Sequence, residues 1–246
     1  MNKYRADLHI HTVLSPCGDL EMSPANILEK AREKGLDIIG ITDHNTTRHC
    51  KLIRKLAEPA GIFVLMGAEV TSREEVHCLT FFENDDQLSE FQVYLEKHLP
   101  PVPNDTEKFG YQVVVDEDEK IIDEIEFLLI SALDQSVEQI EQKVHSLGGI
   151  FIPAHIDRPS YSIISQLGFI PSDLTIDGIE ISANCRIPSV IPFLGEQTER
   201  TIIRNSDAHY TENIGKAFST FVMEHRTFNE IILALHGTLG RKVTIE

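Results

Sequence analysis

The sequence predicts a single-domain α/β protein. Short apolar runs alternate with segments whose apolar residues recur at helical spacing, which is typical of a mainly parallel α/β fold. A length of 246 residues suits one sizeable core and is common for single-domain barrels. Hydrophobic residues make up 41% and charged residues 25% of the chain, as in ordinary globular proteins.

The candidate strands are eight short apolar runs. They cover residues 4–10, 36–42, 62–68, 76–82, 150–154, 178–183, 201–205 and 218–223. Runs of this length separated by helical segments are typical of buried strands.

Capping residues mark the helices between these runs. Ser23 and Pro24 fit the N-cap and the first helical position, and Gly35 predicts the end of that helix. Capping-box spacing recurs at residues 136–139 and 227–230, each followed by apolar residues at helical spacing. We expect these helices to pack on the outside of the sheet.

Residues 83–135 interrupt the alternation. The segment LPPVPND cannot continue a helix or a central strand, and YQVVVDEDEKIIDEIEF predicts a hairpin with an acidic turn. We therefore expect one domain over residues 1–246 with an irregular acidic insertion at about 83–135. The insertion is either a solvated surface excursion or a lid that restricts substrate size.

The charge balance limits which molecules the protein can bind. The formal net charge is −17, and no Lys/Arg cluster offers a basic groove, so we expect no stable binding of duplex nucleic acid. A small phosphorylated substrate stays compatible with this charge. The sequence has neither a bilayer-length apolar run nor a signal-peptide core, which predicts a cytoplasmic protein without membrane contact. It does not predict the oligomeric state.

Chelating residues cluster where the predicted strands end. His9 and His11 alternate with Leu8 and Ile10, so a strand with a period of two places both imidazoles on one side. The later runs are followed by, or contain, further chelating residues: Asp43 and His44, Glu69, His77, His155, and Asp207 with His209. In parallel α/β folds, sites are assembled at the carboxyl ends of the strands.

Five ordered motifs resemble one known family. DLHIHT, ITDHN, GAEVT, PAHIDR and RNSDAH, from residue 6 to about residue 215, are similar to the PHP (polymerase and histidinol phosphatase) family and to its stand-alone bacterial metal-dependent phosphoesterases. The resemblance implies a distorted seven-stranded, TIM-like β/α barrel with a trinuclear metal site at the carboxyl ends of the strands.

The resemblance also implies the ligands of each metal. The first metal would be held by His9, His11, Glu69 and Asp207, and the second by the bridging Glu69 with His77 and His155. The third would be held by Asp19, His44 and His209. Cys17 competes with Asp19 as the loop ligand, because many family members have an aspartate directly after Ser15 where this chain has Pro16. A site with two metals is the alternative.

Imidazoles and carboxylates together form a ligand set that suits Zn²⁺, Mn²⁺ or Fe²⁺. We expect two or three such ions, with Glu69, Asp207 and His209 as the catalytic residues. The expected reaction is hydrolysis of a small phosphomonoester, with nucleotides among the candidates, by a metal-bridged hydroxide. The alternatives are a hydrolase of a non-phosphate bond and a non-catalytic metal-binding regulatory module.

Other polar residues are expected around the metals. Arg158 and Arg186 follow strands near the site and could grip phosphate with bidentate contacts. Asp7 and Asp43 are expected to orient metal-bound histidines, and Glu180 has either that role or a structural one.

Overall fold

The computed structural model describes residues 1–245. The strands are β1 (Asn2–Ile10), β2 (Ile38–Ile41), β3 (Phe63–Thr71), β4 (His77–Phe82), β5 (Val113–Val115), β6 (Ile121–Glu124), β7 (Ile150–Pro153), β8 (Ile179–Ile181), β9 (Ile202–Arg204), β10 (Ser219–Met223) and β11 (Lys242–Ile245). The α-helices are α1 (Pro24–Glu33), α2 (Cys50–Ala57), α3 (Asp85–His98), α4 (Thr106–Phe109), α5 (Val137–Ser146), α6 (Ile163–Leu167), α7 (Ile187–Val190) and α8 (Phe228–Leu235).

Seven strands form one mixed sheet in the order β11-β10-β1-β2-β3-β4-β7. Strands β1, β2 and β3 are parallel, whereas β4 is antiparallel to both of its neighbours and β10 is antiparallel to β1. All eight predicted strands are present, but the expectation of a mainly parallel sheet is wrong. Only the five residues 72–76 connect β3 to β4, and a parallel connection needs about a dozen or more.

The closed seven-stranded barrel is not confirmed. Strands β8 and β9 form a separate parallel pair, and the large sheet instead takes in β10 and β11. A single bridge between Ile10 and Ala208 connects the end of β1 to the segment after β9. The architecture is therefore an α/β fold with a mixed sheet and a short second sheet beside it.

The central strands of the large sheet are buried on both faces. Ile38, Leu65 and Phe81 contribute to one hydrophobic cluster, and their chain neighbours Ile39 and Met66 contribute to another. Adjacent residues of one strand point to opposite faces, so both faces need apolar side chains. This explains why the strands are continuous apolar runs rather than alternating ones.

Capping residues begin the helices as the sequence predicts. The Ser23 side chain accepts a hydrogen bond from the backbone N–H of Asn26, and Pro24 is the first residue of α1. Ser136 and Gln139 form a complete capping box at the start of α5. Each cap pairs backbone N–H groups that have no partner within the helix.

Residues 83–135 are less detached than their charge suggests. Helix α3 buries Leu88, Phe91 and Leu95 in the main hydrophobic cluster. Strands β5 and β6 form the expected hairpin, in which β5 is buried and β6 is exposed. Arg48 pairs with the hairpin residue Asp123 at 2.8 Å. The interpretation of this segment as an insertion stays a prediction.

A partly buried charge cluster joins α5 to α8 away from the metal-binding strand ends. In His145, Nδ1 lies 2.5 Å from Glu141 Oε1 and Nε2 lies 3.0 Å from Asp177 Oδ2. The other oxygen of Asp177, Oδ1, lies 2.8 Å from His236 Nε2. Both ring nitrogens of His145 face carboxylates, so only the imidazolium can donate to both. The hydrogen bond to Asp177 and that to Glu141 raise the pKa of His145, while burial opposes the rise.

This cluster predicts a stability that depends on pH. The folded pKa of His145 lies above its ordinary value of 6.5, so its contribution is complete below about pH 6.5 and is lost as the pH rises through the folded pKa. We expect His145→Gln to lower the free energy of unfolding by about 1–2 kcal/mol near pH 6 and by less near pH 9. Urea unfolding across this range measures the difference. His225→Gln, at an exposed position, is the control, and a pH-independent loss for His145→Gln would contradict the prediction.

Candidate metal centre

One edge of the large sheet gathers the chelating side chains. His77 begins β4 opposite Thr71 near the end of β3, because β4 runs antiparallel to β3 and its start therefore lies where β3 ends. The remaining residues stand at or after the ends of the other strands: His9 and His11 at β1, His44 after β2, Glu69 in β3, His155 after β7, and Asp207 and His209 after β9. The sequence-predicted residues therefore meet at one place, with Asp19 as the exception described below.

The centre is built around the pair His9 and His11. His9 Nδ1 donates to Glu180, whose two oxygens lie at 3.0 and 3.1 Å, and His11 Nδ1 lies 2.9 Å from Ser15 Oγ. Ser15 donates its single hydroxyl hydrogen to Asp43 Oδ1 at 2.7 Å, so His11 Nδ1 must be the donor of its own bond. Both Nε2 atoms are left with lone pairs, and they lie 3.1 Å apart. Two buried lone pairs at this distance repel each other unless a cation, either a proton or a metal ion, lies between them.

Two carboxylates complete a four-ligand set. Glu69 Oε1 lies 3.4 Å and Asp207 Oδ1 lies 3.3 Å from His9 Nε2. His11 Nε2 lies 3.3 Å from Glu69 Oε2 and 3.4 Å from Asp207 Oδ1. Ligand atoms about 2.1 Å from one tetrahedral zinc ion would lie roughly 3.4 Å from one another. The spacing of His9, His11, Glu69 and Asp207 therefore fits a divalent metal ion.

Glu69 links this set to the other histidines. Its Oε1 lies 2.9 Å from His77 Nδ1 and 3.0 Å from His155 Nε2, and its Oε2 lies 3.2 Å from His44 Nδ1. Burial alone would raise the pKa of Glu69, but the surrounding histidines hold it well below its ordinary value. Glu69 is therefore an anion placed between two possible metal positions.

Two further groups of three residues have metal-ligand spacing. They are His11, His44 and His209, and His44, Glu69 and His77. Burial lowers the pKa of His44 well below its ordinary value and lowers that of His209 to about 4. Both imidazoles are neutral at physiological pH, which is the form that binds metal ions.

Unpaired buried atoms support the same conclusion. Within residues 1–245, His44 Nδ1, His155 Nδ1 and Asp207 Oδ1 are buried and make no hydrogen bond. His155 and Asp207 also have positive φ angles, of 29° and 52°. Unpaired polar atoms and strained backbone are costly and concentrate at functional sites. Imidazole and carboxylate donors left in this state fit Zn²⁺, Mn²⁺ or Fe²⁺.

The loop after β1 brings neither predicted loop ligand into these groups. Asp19 Oδ1 accepts a hydrogen bond from the backbone N–H of Glu21 at 2.8 Å, and the backbone N–H of Asp19 donates to the carbonyl oxygen of His209 at 2.9 Å. Cys17 is an exposed residue, but its thiol is largely buried. This burial and the nearby Glu69 charge raise the pKa of the thiol to about 12.

The two predicted phosphate-binding arginines differ in position. Arg158 Nη2 lies 2.6 Å from Asp207 Oδ2, directly beside the four-ligand set. Arg186 is exposed at the start of α7. A cavity of about 610 Å³ opens beside Asp207 and is lined by Arg158, Ser182, Ala183, Asn184, Ser206, Asp207, Asn213 and Lys216. The sequence does not predict a role for Lys216, because this residue lies outside all five motifs.

Asp43 supports His11 through Ser15, as the sequence predicts in outline. Its Oδ2 also accepts the hydroxyl of Thr12 at 2.8 Å, and Thr12 Oγ1 lies 2.7 Å from Nδ1 of the buried His49. Nε2 of His49 accepts the backbone N–H of Val115 at 3.0 Å, so the proton of His49 is on Nδ1. A chain of hydrogen bonds thus runs from the acidic hairpin to the metal loop. Sequence reasoning gave His49 no role.

Asp7 accepts hydrogen bonds from loop backbone and not from a histidine ring, which corrects the expectation that it orients a metal-bound histidine. Its partners are the backbone N–H groups of Ser206 at 3.0 Å and Gly215 at 2.9 Å, and burial raises its pKa to about 6. Asp7 instead holds the two loops that follow β9.

Glu180 has the orienting role that the sequence left open. Besides its contact with His9, it accepts the backbone N–H of His155 at 2.8 Å and the amide of Asn205 at 2.7 Å. The side chain is almost fully buried. These hydrogen bonds fix the carboxylate, and the carboxylate fixes the ring of His9.

Alignments with known proteins extend over almost the whole of this chain. Protein YqxK of Bacillus subtilis is 24% identical over 279 aligned residues, which include 99% of this chain and 64% of YqxK. The structure of the lesion-specific endonuclease PfuEndoQ from Pyrococcus furiosus has a TM-score of 0.72 at 21% identity and matches 98% of this chain. This chain spans 58% of that endonuclease and less than two thirds of YqxK.

A second, smaller structure has the same fold. A protein from Bifidobacterium adolescentis assigned as a metal-dependent phosphoesterase has a TM-score of 0.58 at 19% identity, over 84% of this chain and 88% of its own. Identity this low supports likeness of fold. The chain therefore has the fold of metal-dependent phosphoesterases.

The expectation that the protein does not bind duplex nucleic acid stably is wrong. An Endonuclease Q structure, with a TM-score of 0.67 and 98% coverage of this chain, holds a 27-mer duplex with an abasic lesion at the active site. The fold therefore accommodates a duplex substrate, and the argument from net charge does not exclude one.

No helix within residues 1–245 is both long and apolar enough to cross a membrane.

Glu180→Gln tests the support of His9. Glutamine offers one acceptor oxygen where Glu180 uses both, and it removes the charge that holds the His9 ring, so we expect metal affinity to fall about 10–100-fold. Calorimetric titration with Mn²⁺ measures the change, and far-UV circular dichroism checks the fold. Glu29→Gln, at an exposed position of α1, is the matched control. Unchanged Mn²⁺ affinity in Glu180→Gln would show that the carboxylate does not support the site.

The family follows from a match to the sequence itself. The family model described as PHP domain matches residues 7–152, which is more than half of the chain and includes His9, His11, His44, Glu69 and His77. The structural neighbours have the same kind of fold. This chain is a member of the PHP family.

Proposed function

We propose that this protein is a metal-dependent phosphoesterase that hydrolyses a small phosphomonoester, with nucleotides among its substrates. The observation that carries the proposal is the 3.1 Å approach of two Nε2 lone pairs, on His9 and His11, between the carboxylates of Glu69 and Asp207. His44, His77, His155 and His209 extend this centre to two or three metal positions. Bound divalent ions would lower the pKa of water and stabilise charge on the phosphoryl oxygens.

The protein's own residues determine how a phosphate would be held. Arg158 lies at the edge of the centre, where its planar guanidinium can donate two parallel hydrogen bonds to phosphate oxygens. Ser15 and Glu180 prevent rotation of the two histidine rings. Glu69 and Asp207 have pKa values well below the ordinary range, so both carboxylates stay ionised. Without cations these charges would repel phosphate.

A duplex substrate is the second candidate. The observation that favours it is the Endonuclease Q structure with duplex DNA, which matches nearly the whole of this chain. The present chain spans only 58% of that protein, so any parts that the larger protein uses outside the shared region are not matched here. A test of activity must therefore include both substrate classes.

A substrate panel separates the two candidates. Protein loaded with Mn²⁺, Zn²⁺ or Fe²⁺ is incubated with p-nitrophenyl phosphate, nucleoside monophosphates, and a DNA duplex with or without one abasic site. The proposal predicts phosphate release from the small esters. Cleavage confined to the abasic duplex would favour the second candidate. No hydrolysis of any phosphoester with any of the three metals would refute both.

Loss of a ligand should abolish activity without loss of the fold. We expect His9→Ala and Asp207→Asn each to lower kcat/KM by about a thousandfold or more, because each residue contributes to the four-ligand set. Phosphate release measures the activity, and thermal unfolding shows whether the fold is kept. His225→Ala is the control for loss of a histidine. Wild-type activity in either ligand variant would show that the site is misplaced.

A further inference from the structure

The cavity beside Asp207 is lined mostly by polar residues, and of these only Asp207 belongs to the proposed metal ligands. Its volume is about 610 Å³, and Ala183 is its one apolar lining residue. Asp207 belongs both to this wall and to the four-ligand set. A phosphoester held at the metals would therefore extend its leaving group into this cavity.

Lys216 is an uncompensated cation in this wall. Its Nζ donates to the neutral side-chain oxygen of Asn213 at 2.6 Å, and no carboxylate oxygen within residues 1–245 lies within 4 Å of it. The other cation of the wall, Arg158, is paired with Asp207. Lys216 is exposed, and it lines the same cavity as Asp207, so an anionic group attached to a substrate at the metals could reach it.

A larger cavity elsewhere is a weaker candidate. It has a volume of about 710 Å³ and lies at the start of β3, the opposite end from the metal centre. Its Lys51 and Arg226 also have no carboxylate partner among residues 1–245, so charge does not separate the two cavities. The larger cavity includes no proposed metal ligand, so it cannot receive a second group of a substrate that is bound at the metals.

Two carboxylates, the buried Asp7 and the half-buried Asp157, hold the two sides of the Lys216 cavity. Asp7 accepts from the backbone N–H groups of Ser206 and Gly215, so one carboxylate fixes the loop with Asp207 and the loop with Lys216. On the other side, Asp157 accepts from Ser182 N at 2.7 Å and from its Oγ at 2.6 Å. The distance from the metal centre to the backbone of Lys216 is therefore set before any ligand binds.

We propose that Lys216 binds a second anionic group of the substrate, a carboxylate or a further phosphate on the leaving group. Lysine binds such groups as a compact charge, and the amides of Asn184 and Asn213 can hydrogen-bond the polar atoms between the two anions. This inference rests on the proposed phosphoesterase function and narrows its substrates to small organic phosphates with two anionic groups.

Matched phosphonates test the inference without turnover. Calorimetric titration of the Mn²⁺-loaded protein compares ethylphosphonate with 3-phosphonopropionate, and propylphosphonate with propane-1,3-diphosphonate. Each pair differs by one anionic group, a carboxylate in the first and a phosphonate in the second. In at least one pair, we expect the compound with two anionic groups to bind the wild type about tenfold more tightly than the compound with one. The pair that shows the preference identifies the kind of second anion.

Variants of Lys216 assign the preference to this residue. We expect Lys216→Met to bring the ratio of dissociation constants within a pair to about one and Lys216→Arg to keep most of it. Lys51→Met, at the larger cavity, is the control and should leave the ratio unchanged. No preference in the wild type, or a Lys216→Met variant that weakens both members of a pair equally, would overturn the inference.

The two proposals can fail separately. A Lys216-dependent preference in a protein that hydrolyses no phosphoester would refute the proposed function and leave the anion-binding cavity. Turnover of small phosphoesters without any preference for a second anion would refute the cavity's role and leave the proposed function.

Discussion

The structure depends on the convergence of imidazole nitrogens on one buried carboxylate. Glu69 lies within 3.4 Å of nitrogens from His9, His11, His44, His77 and His155. Burying an anion costs several kcal/mol unless partners compensate it, and these partners come from strands far apart in the chain. The reversal of β4, which moves His77 to the edge where β3 ends, is needed for this arrangement.

Around that carboxylate, the rings of His9 and His11 are held by residues that do not themselves face the metals. Glu180 holds His9, and Ser15 with Asp43 holds His11. In both cases Nδ1 is occupied as a donor, which leaves Nε2 free and fixes the direction of its lone pair. The polar interior of this protein is therefore ordered by proton positions as well as by packing.

Much of the site could be predicted because strand ends and chelating residues coincide in the sequence. His9, Glu69 and Asp207 stand next to apolar runs that are recognisable as strands. What could not be predicted depends on tertiary geometry: Asp7 binds backbone N–H groups about 200 residues further along the chain, and the separate pairing of β8 with β9 leaves the barrel unconfirmed. His49 gained its role only through contacts 37 and 66 residues away along the chain.

The hydrogen bond between Val115 and His49 has a consequence for how the hairpin can vary. The hydrogen bond from the hairpin comes from a main-chain N–H, while the side chain of Val114 packs with Leu14 of the metal loop. Any residue except proline at position 115 supplies that N–H, so the hydrogen bond itself does not depend on the side chain there. The constraint instead falls on the length of the hairpin, because an insertion or deletion before Val115 would move the donor out of reach of the imidazole.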